Sequence, residues 1–137
     1  MASRREPRWL DRRTVEAIHE LIARQSGGSA GLRDPSLLES AIARAQQRWS
    51  YDESADLFDL AAALGTGLAR NHAFIDGNKR IAFVCAITFL ETNGVKFGAG
   101  EPDAVLTMLA VATGEMKEPA FAAWLRANSR RGRGGRR

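Results

Sequence analysis

Residues 57–94 read LFDLAAALGTGLARNHAFIDGNKRIAFVCAITFLETNG, two apolar runs of helical spacing around a short polar break. In the first run, Leu57, Phe58, Ala61, Leu64 and Leu68 share one helix face, and the helix is expected to end near Asn71. In the second, Ile81, Phe83, Val84, Ile87 and Leu90 surround the axis almost completely. That pattern predicts a central, buried helix opening near Gly77. Asn93-Gly94 supplies the residue type that stops a helix with a left-handed turn.

Working outward, the same period recurs on both sides. Val15, Ile18, Leu21 and Ile22 define a helix from Thr14 to Gln25, closed by Gly27-Gly28 and followed by a loop through Gly31. Asp34-Pro35 is an N-cap with proline in the first helical position. It opens a helix with Leu37, Leu38, Ala41, Ile42 and Ala45 inward. Tyr51 to Glu53 connect, and Ser54 is expected to cap the helix that begins the quoted stretch. Pro102 opens a fifth helix to about Thr113, and Pro119 a sixth with Phe121, Trp124 and Leu125. Strand-like alternation is read nowhere. The fold expected is all-α: a compact bundle of about six helices with a central buried helix, spanning residues 1–127.

The chain has 137 residues, a net charge of +4 and a pI near 10. A domain of this size buries about two-thirds of its unfolded surface and needs no disulfide. Cys85 is the single cysteine, which excludes an internal disulfide and fits a reducing cytoplasm. No apolar run reaches the roughly 18 residues of a membrane span, and no secretory signal is read at the start. The basicity is concentrated at the ends. Residues 1–13 carry +3, residues 128–137 carry +5, and the body between them carries −4. Residues 128–137, Arg and Gly with no apolar side chain, are expected to form a basic disordered tail. Nucleic acid is therefore not required by the charge of the body. Trp9, Trp49 and Trp124 are read as packing residues, and His19 as a packed, hydrogen-bonded histidine.

The chemistry concentrates in the polar break, Asn71 to Arg80. Gly77 lets the backbone approach a ligand at the mouth of the following helix. The free amides of that first turn and the helix dipole make an anion site. Lys79 and Arg80 add positive charge there, which is unfavourable for the helix unless an anion arrives. Asn78 can donate to a phosphate or orient a neighbour. Asp76 is a carboxylate placed where magnesium is held beside phosphates. His72 is a base able to take a proton from an attacking hydroxyl near neutral pH. Phe74 and Ile75 would anchor the loop. Asp76 can also be read as a plain N-cap. The residues by themselves leave both a phosphate-binding catalytic loop and a structural turn open.

This segment resembles the signature of the Fic/Doc superfamily, H-x-F-x-[D/E]-[G/A]-N-[K/G]-R, with His72, Phe74, Asp76, Gly77, Asn78, Lys79 and Arg80 matching it. Gly31-Leu32-Arg33-Asp34, Leu38-Glu39-Ser40-Ala41, Asp56-Leu57-Phe58, Phe89-Leu90, Asn93-Gly94-Val95 and Ala112-Thr113-Gly114-Glu115 resemble its Doc (death-on-curing) branch, so the likeness spans about residues 9–127. Fic adenylyltransferases usually have Gly where Lys79 stands and a second Arg where Phe83 stands. The resemblance therefore implies a kinase: a toxin moving the γ-phosphate of ATP to a threonine of elongation factor Tu. His72 would be the general base. Asp76 would hold Mg2+. Gly77, Asn78, Lys79 and Arg80, assisted by Arg70, would bind the ATP phosphates. A Phd-like antitoxin would lay its C-terminal helix in a groove walled by the first two helices and the last. Protein adenylylation and a non-enzymatic binding module are the alternative readings.

Overall fold

The computed structural model describes residues 4–28 and 31–131. Six helices carry the fold: α1 (Arg12–Ser26), α2 (Pro35–Tyr51), α3 (Leu57–Asn71), α4 (Asn78–Thr92), α5 (Glu101–Thr113) and α6 (Glu118–Ala127). Two three-residue strands, β1 (Val95–Phe97) and β2 (Ser129–Arg131), pair antiparallel, Val95 opposite Arg131 and Phe97 opposite Ser129. The all-α expectation holds. No helix among the described residues is long and apolar enough to cross a membrane.

Local chemistry sets the helix ends. The Asp11 carboxylate accepts from the Thr14 N–H at 2.9 Å and starts α1, and Gly27, in the left-handed region, closes it. Asp34 accepts from the N–H groups of Ser36 and Leu37 ahead of Pro35. The cap of α3 differs from the one expected. Ser54 donates to Asp52, and Asp56 caps instead, in a reciprocal box with Asp59. A carboxylate there satisfies an amide and favours the positive end of the dipole.

The buried axis of the bundle is α3, not α4 as the apolar pattern predicted. Every residue from Leu60 to Ala69 is buried, whereas Phe83, Val84 and Ile87 of α4 are half-buried. The reason is size. Alanine and glycine carry little weight in an apolar pattern, but they let neighbours approach: a Cβ on Gly67 would stand 3.1 Å from the Cα of Ala41 in α2. Helices α2, α4, α5 and α6 all pack on α3.

The two strands are the second departure. They are too short to show an alternating pattern. Phe97 meets Phe83 edge-on at 5.8 Å between ring centroids and Trp124 at 5.3 Å, so β1 covers the outer face of α4. The tail expected to be disordered from residue 128 is in part a strand, because Ser129–Arg131 complete this ladder. Its remainder lies outside the described residues. Trp9 stacks on Phe89 at 5.7 Å and meets Trp49 edge-on, so the tryptophans do pack.

Candidate active site

The polar break lies between the C-terminus of α3 and the N-terminus of α4. His72 is the left-handed cap of α3, at φ 55°, and is the one non-glycine residue with positive φ among those described. Such a conformation costs on the order of 1–3 kcal/mol and persists where neighbours enforce it. Here they do. The Arg33 guanidinium donates to the His72 carbonyl through Nε, at 2.9 Å, and through Nη2. The N–H groups of Arg33 and Asp34 donate to the Ala73 carbonyl, at 2.7 and 3.0 Å. Leu32 and Phe74 form an isolated antiparallel bridge.

Further along, Asn78 closes the loop on itself. Its Oδ1 accepts from the Phe74 N–H at 3.1 Å and its Nδ2 donates to the Phe74 carbonyl at 2.9 Å. The Asn78 side chain is thus turned to the loop backbone, the orienting role of the two it could play. His19 reaches in from α1. Its Nε2 lies 2.7 Å from the Asp76 carbonyl oxygen, and because a carbonyl only accepts, Nε2 carries the proton. The ring stacks on Phe74, centroids 3.8 Å apart and planes 11° from parallel. His19 is buried and hydrogen-bonded, as its position on α1 predicted. The carbonyls of residues 72, 73 and 76 are taken by donors from outside the loop and that of 74 by Asn78 within it, so the loop is held rather than free.

Asp76 does not cap α4. Its carboxylate accepts from the next residue's own N–H, Gly77, at 2.8 Å, and Gly77 is the N-cap. Gly77 sits at φ 78°, a conformation an L side chain rarely adopts. No side chain caps α4, its first turn holds no acid, and Lys79 and Arg80 are exposed at its start. Neither makes an ion pair among the described residues. Open amides, the positive dipole end and two cations without a carboxylate partner are the chemical groups that suit an anion. Arg70, in the last turn of α3, places Nη2 beside Gly114, where an added Cβ would be 3.3 Å away.

No group of three metal-ligating side chains occurs among the described residues. Asp76 is a single carboxylate oxygen donor, which fits a magnesium ion held mostly by phosphates and water rather than a protein cage. Beside the loop runs a cleft of about 410 Å³ lined by Arg13, Glu16, Ala17, His19, Glu20, Leu32 and Phe74. Cys85 takes no part: burial pushes its thiol up to about 12.

Two residues of this construction escape a reading of the motif. Arg33 and His19 act from outside it, 39 and 57 residues along the chain from the atoms they hold. The available signals were a cation directly before the Asp34-Pro35 cap and a histidine on an apolar helix face.

The helical bundle thus carries its histidine and carboxylate on the loop that leads into the basic start of α4, and residues 9–90 match the Fic/DOC family, to which the chain belongs. Two curated relatives are more specific. The chain is 40% identical over 110 residues to the protein kinase doc of Escherichia phage P1, covering 80% of this chain and 86% of the relative. It is 50% identical over 92 residues to the toxin Doc of Mycolicibacterium smegmatis, covering 66% of this chain and 68% of the relative.

Proposed function

We propose that this protein is the toxin of a toxin–antitoxin pair, a kinase that transfers the γ-phosphate of ATP to a serine or threonine hydroxyl of a translation factor. Elongation factor Tu is the target that its resemblance to Doc implies. The observation that carries the reading is the uncapped N-terminus of α4 at Gly77, flanked by Lys79 and Arg80 with no acid in its first turn. The names of the two relatives, a protein kinase and a toxin, support it. Phe83, where an adenylylating relative would place a second phosphate-binding arginine, favours phosphate over nucleotide transfer.

In this scheme the amides of the first turn of α4 with Lys79 and Arg80 bind the phosphates of ATP, and Arg70 assists. His72 accepts the proton of the target hydroxyl. The hydroxyl oxygen forms a bond to the γ-phosphorus as the bond to the bridging oxygen breaks, and ADP leaves. Asp76 would hold a magnesium ion, which when bound neutralises phosphate charge. Such transfers need positioning and charge neutralisation more than covalent help, and a loop with its carbonyls tied supplies the positioning. A Phd-like antitoxin would lay its C-terminal helix in a groove walled by α1, α2 and α6. The reaction would take place in the cytoplasm.

The deciding experiment incubates the purified protein with γ-labelled or α-labelled ATP and a translation extract. Label entering a protein band from the γ position alone is the expected result. Label from the α position would replace the kinase with an adenylyltransferase, and label from neither would remove the enzymatic reading.

A further inference from the structure

Arg4 and Arg5, near the N-terminus, and Arg130, near the C-terminus, line one cleft in the fold. Near the N-terminus, Asn93 grips the backbone of Arg8, accepting from its N–H at 2.8 Å and donating to its carbonyl at 3.0 Å. Arg4 donates to the carbonyls of Asp52 and Trp49, at 3.1 and 2.7 Å, and lies 4.3 Å over the Trp49 ring. At the other end, the β1–β2 ladder brings Arg130 back to the body. Between them is a cleft of about 460 Å³ whose lining includes Arg4, Arg5, Arg126 and Arg130.

The charge of this cleft is not balanced by the groups around it. Arg126 is neutralised by Asp56, the one acidic residue among the described lining, at 2.8 Å, and by Asp59 at 3.7 Å, so the unbalanced charge is that of Arg4, Arg5 and Arg130. Arg4 is bound by carbonyls, which leave its charge whole. Arg5 and Arg130 are exposed and pair with no carboxylate among the described residues. Lys96 stands directly opposite Arg130 in the ladder, a like-charge cross-strand pair that costs stability and that an anion would relieve. Trp49 and Phe58 line the cleft, with the guanidinium groups of Arg4 and Arg126 over their rings.

The cleft is separate from the candidate active site. It borders the first turn of α3, at Leu57 and Phe58, whereas His72 follows the last. Fifteen helical residues put about 22 Å between these ends.

We propose that this cleft is a second binding site, for the sugar–phosphate backbone of single-stranded nucleic acid. Arginine forks match phosphate oxygens, and a cationic groove edged by aromatic rings is the usual form of a sequence-tolerant single-strand site. The site does not depend on the chemistry at His72.

Fluorescence anisotropy of the full chain with labelled oligouridine, and with the matching oligothymidine, tests it across roughly 50 to 200 mM salt. Binding is expected to weaken linearly on logarithmic axes. The double variant Arg5→Glu/Arg130→Glu should bind at least about tenfold more weakly, with a salt slope shallower by about 1.4, two single-strand phosphate contacts. Millimolar ATP should not displace the strand. RNA binding tighter than DNA identifies the source as RNA, and equal binding a site that reads backbone alone; both support the proposal. It is overturned by no binding at the lowest salt, by an unchanged affinity in the double variant, by displacement with ATP, or by equal competition from polyglutamate, which would mark a general acidic-protein surface. Circular dichroism and the milder Arg5→Gln/Arg130→Gln variant, expected to fall between the two, separate lost charge from lost fold.

Discussion

The imidazole Nε2 of His19 donates to the carbonyl oxygen of Asp76 at 2.7 Å while the same ring lies flat on Phe74. One buried side chain of α1 therefore fixes both the apolar anchor of the motif loop and the residue directly before the mouth of α4. A backbone carbonyl held in this way cannot rotate without breaking a buried hydrogen bond, which costs about 1–3 kcal/mol when a partner is removed.

Two substitutions separate the donor from the stack. His19→Phe keeps a ring against Phe74 and loses the N–H. His19→Gln keeps an N–H at a similar reach and loses the ring. If the hydrogen bond positions the phosphate site, KM for ATP should rise about tenfold in His19→Phe, equivalent to about 1.4 kcal/mol, and recover most of the way in His19→Gln. Melting temperatures of both variants provide the comparison. A KM that follows stability alone, with the two variants alike, would leave His19 as packing.

His72→Ala removes the proton acceptor and leaves the backbone ties of residue 72 in place, since Arg33 holds the carbonyl and not the imidazole. Phosphoryl transfer should fall by about 10²–10⁴-fold, the usual range for a general base, with little change in melting temperature. Growth arrest on expression without an antitoxin should be relieved. Full toxicity of His72→Ala would remove the histidine from the mechanism.

Gly77→Ala tests the helix mouth through its backbone. At φ 78° a Cβ costs about 1–2 kcal/mol, although the space is adequate, the nearest atom being His19 Nε2 at 3.5 Å. The variant should unfold at lower denaturant and bind ATP more weakly, because relief of strain would turn the first amides of α4 away from the phosphates. Calorimetric titration with ATP, run where the variant is fully folded, measures the second effect free of the first.

Interactions between near neighbours in the chain leave their mark in the sequence, and those between distant segments do not. Caps and helical period are local, so five of the helix starts could be placed within a residue or two, and Asp34-Pro35 marked α2 directly. Ser54 misled because Asp52, Ser54 and Asp56 all stand before α3, and which one caps depends on where the chain turns. The prominence of α4 over α3 reflected side-chain volume, while burial is decided by how closely neighbours approach, and alanine and glycine allow the closest approach. The ladder at Ser129–Arg131 was hidden because three residues carry no period and arginine gives no strand signal. At the site, the motif residues were legible as a string of chemistry. The atoms that hold the string, on His19 and Arg33, were not, since their contacts exist only once α1 and the 31–34 segment have folded against it.

The last expectation concerns acid. In the fold, the Asp34 carboxyl is held below its usual range by the Ser36 hydroxyl and then by the Leu37 N–H. A depressed folded pKa means that the unfolded chain takes up the proton first. Stability from this cap is therefore complete above the unfolded value, about 3.9, and is lost as pH falls through the folded one. Asp34→Ala should lower the urea midpoint at pH 7, and its difference from the parent protein should shrink as pH falls below the unfolded value and on through the lower folded one. Because Asp34 also donates its N–H to the Ala73 carbonyl, a bond the alanine retains, the motif loop should keep its place at neutral pH. Urea titrations of the two proteins at pH 7 and at low pH read the difference. A gap that stays constant with pH would mean that the cap does not act through its charge.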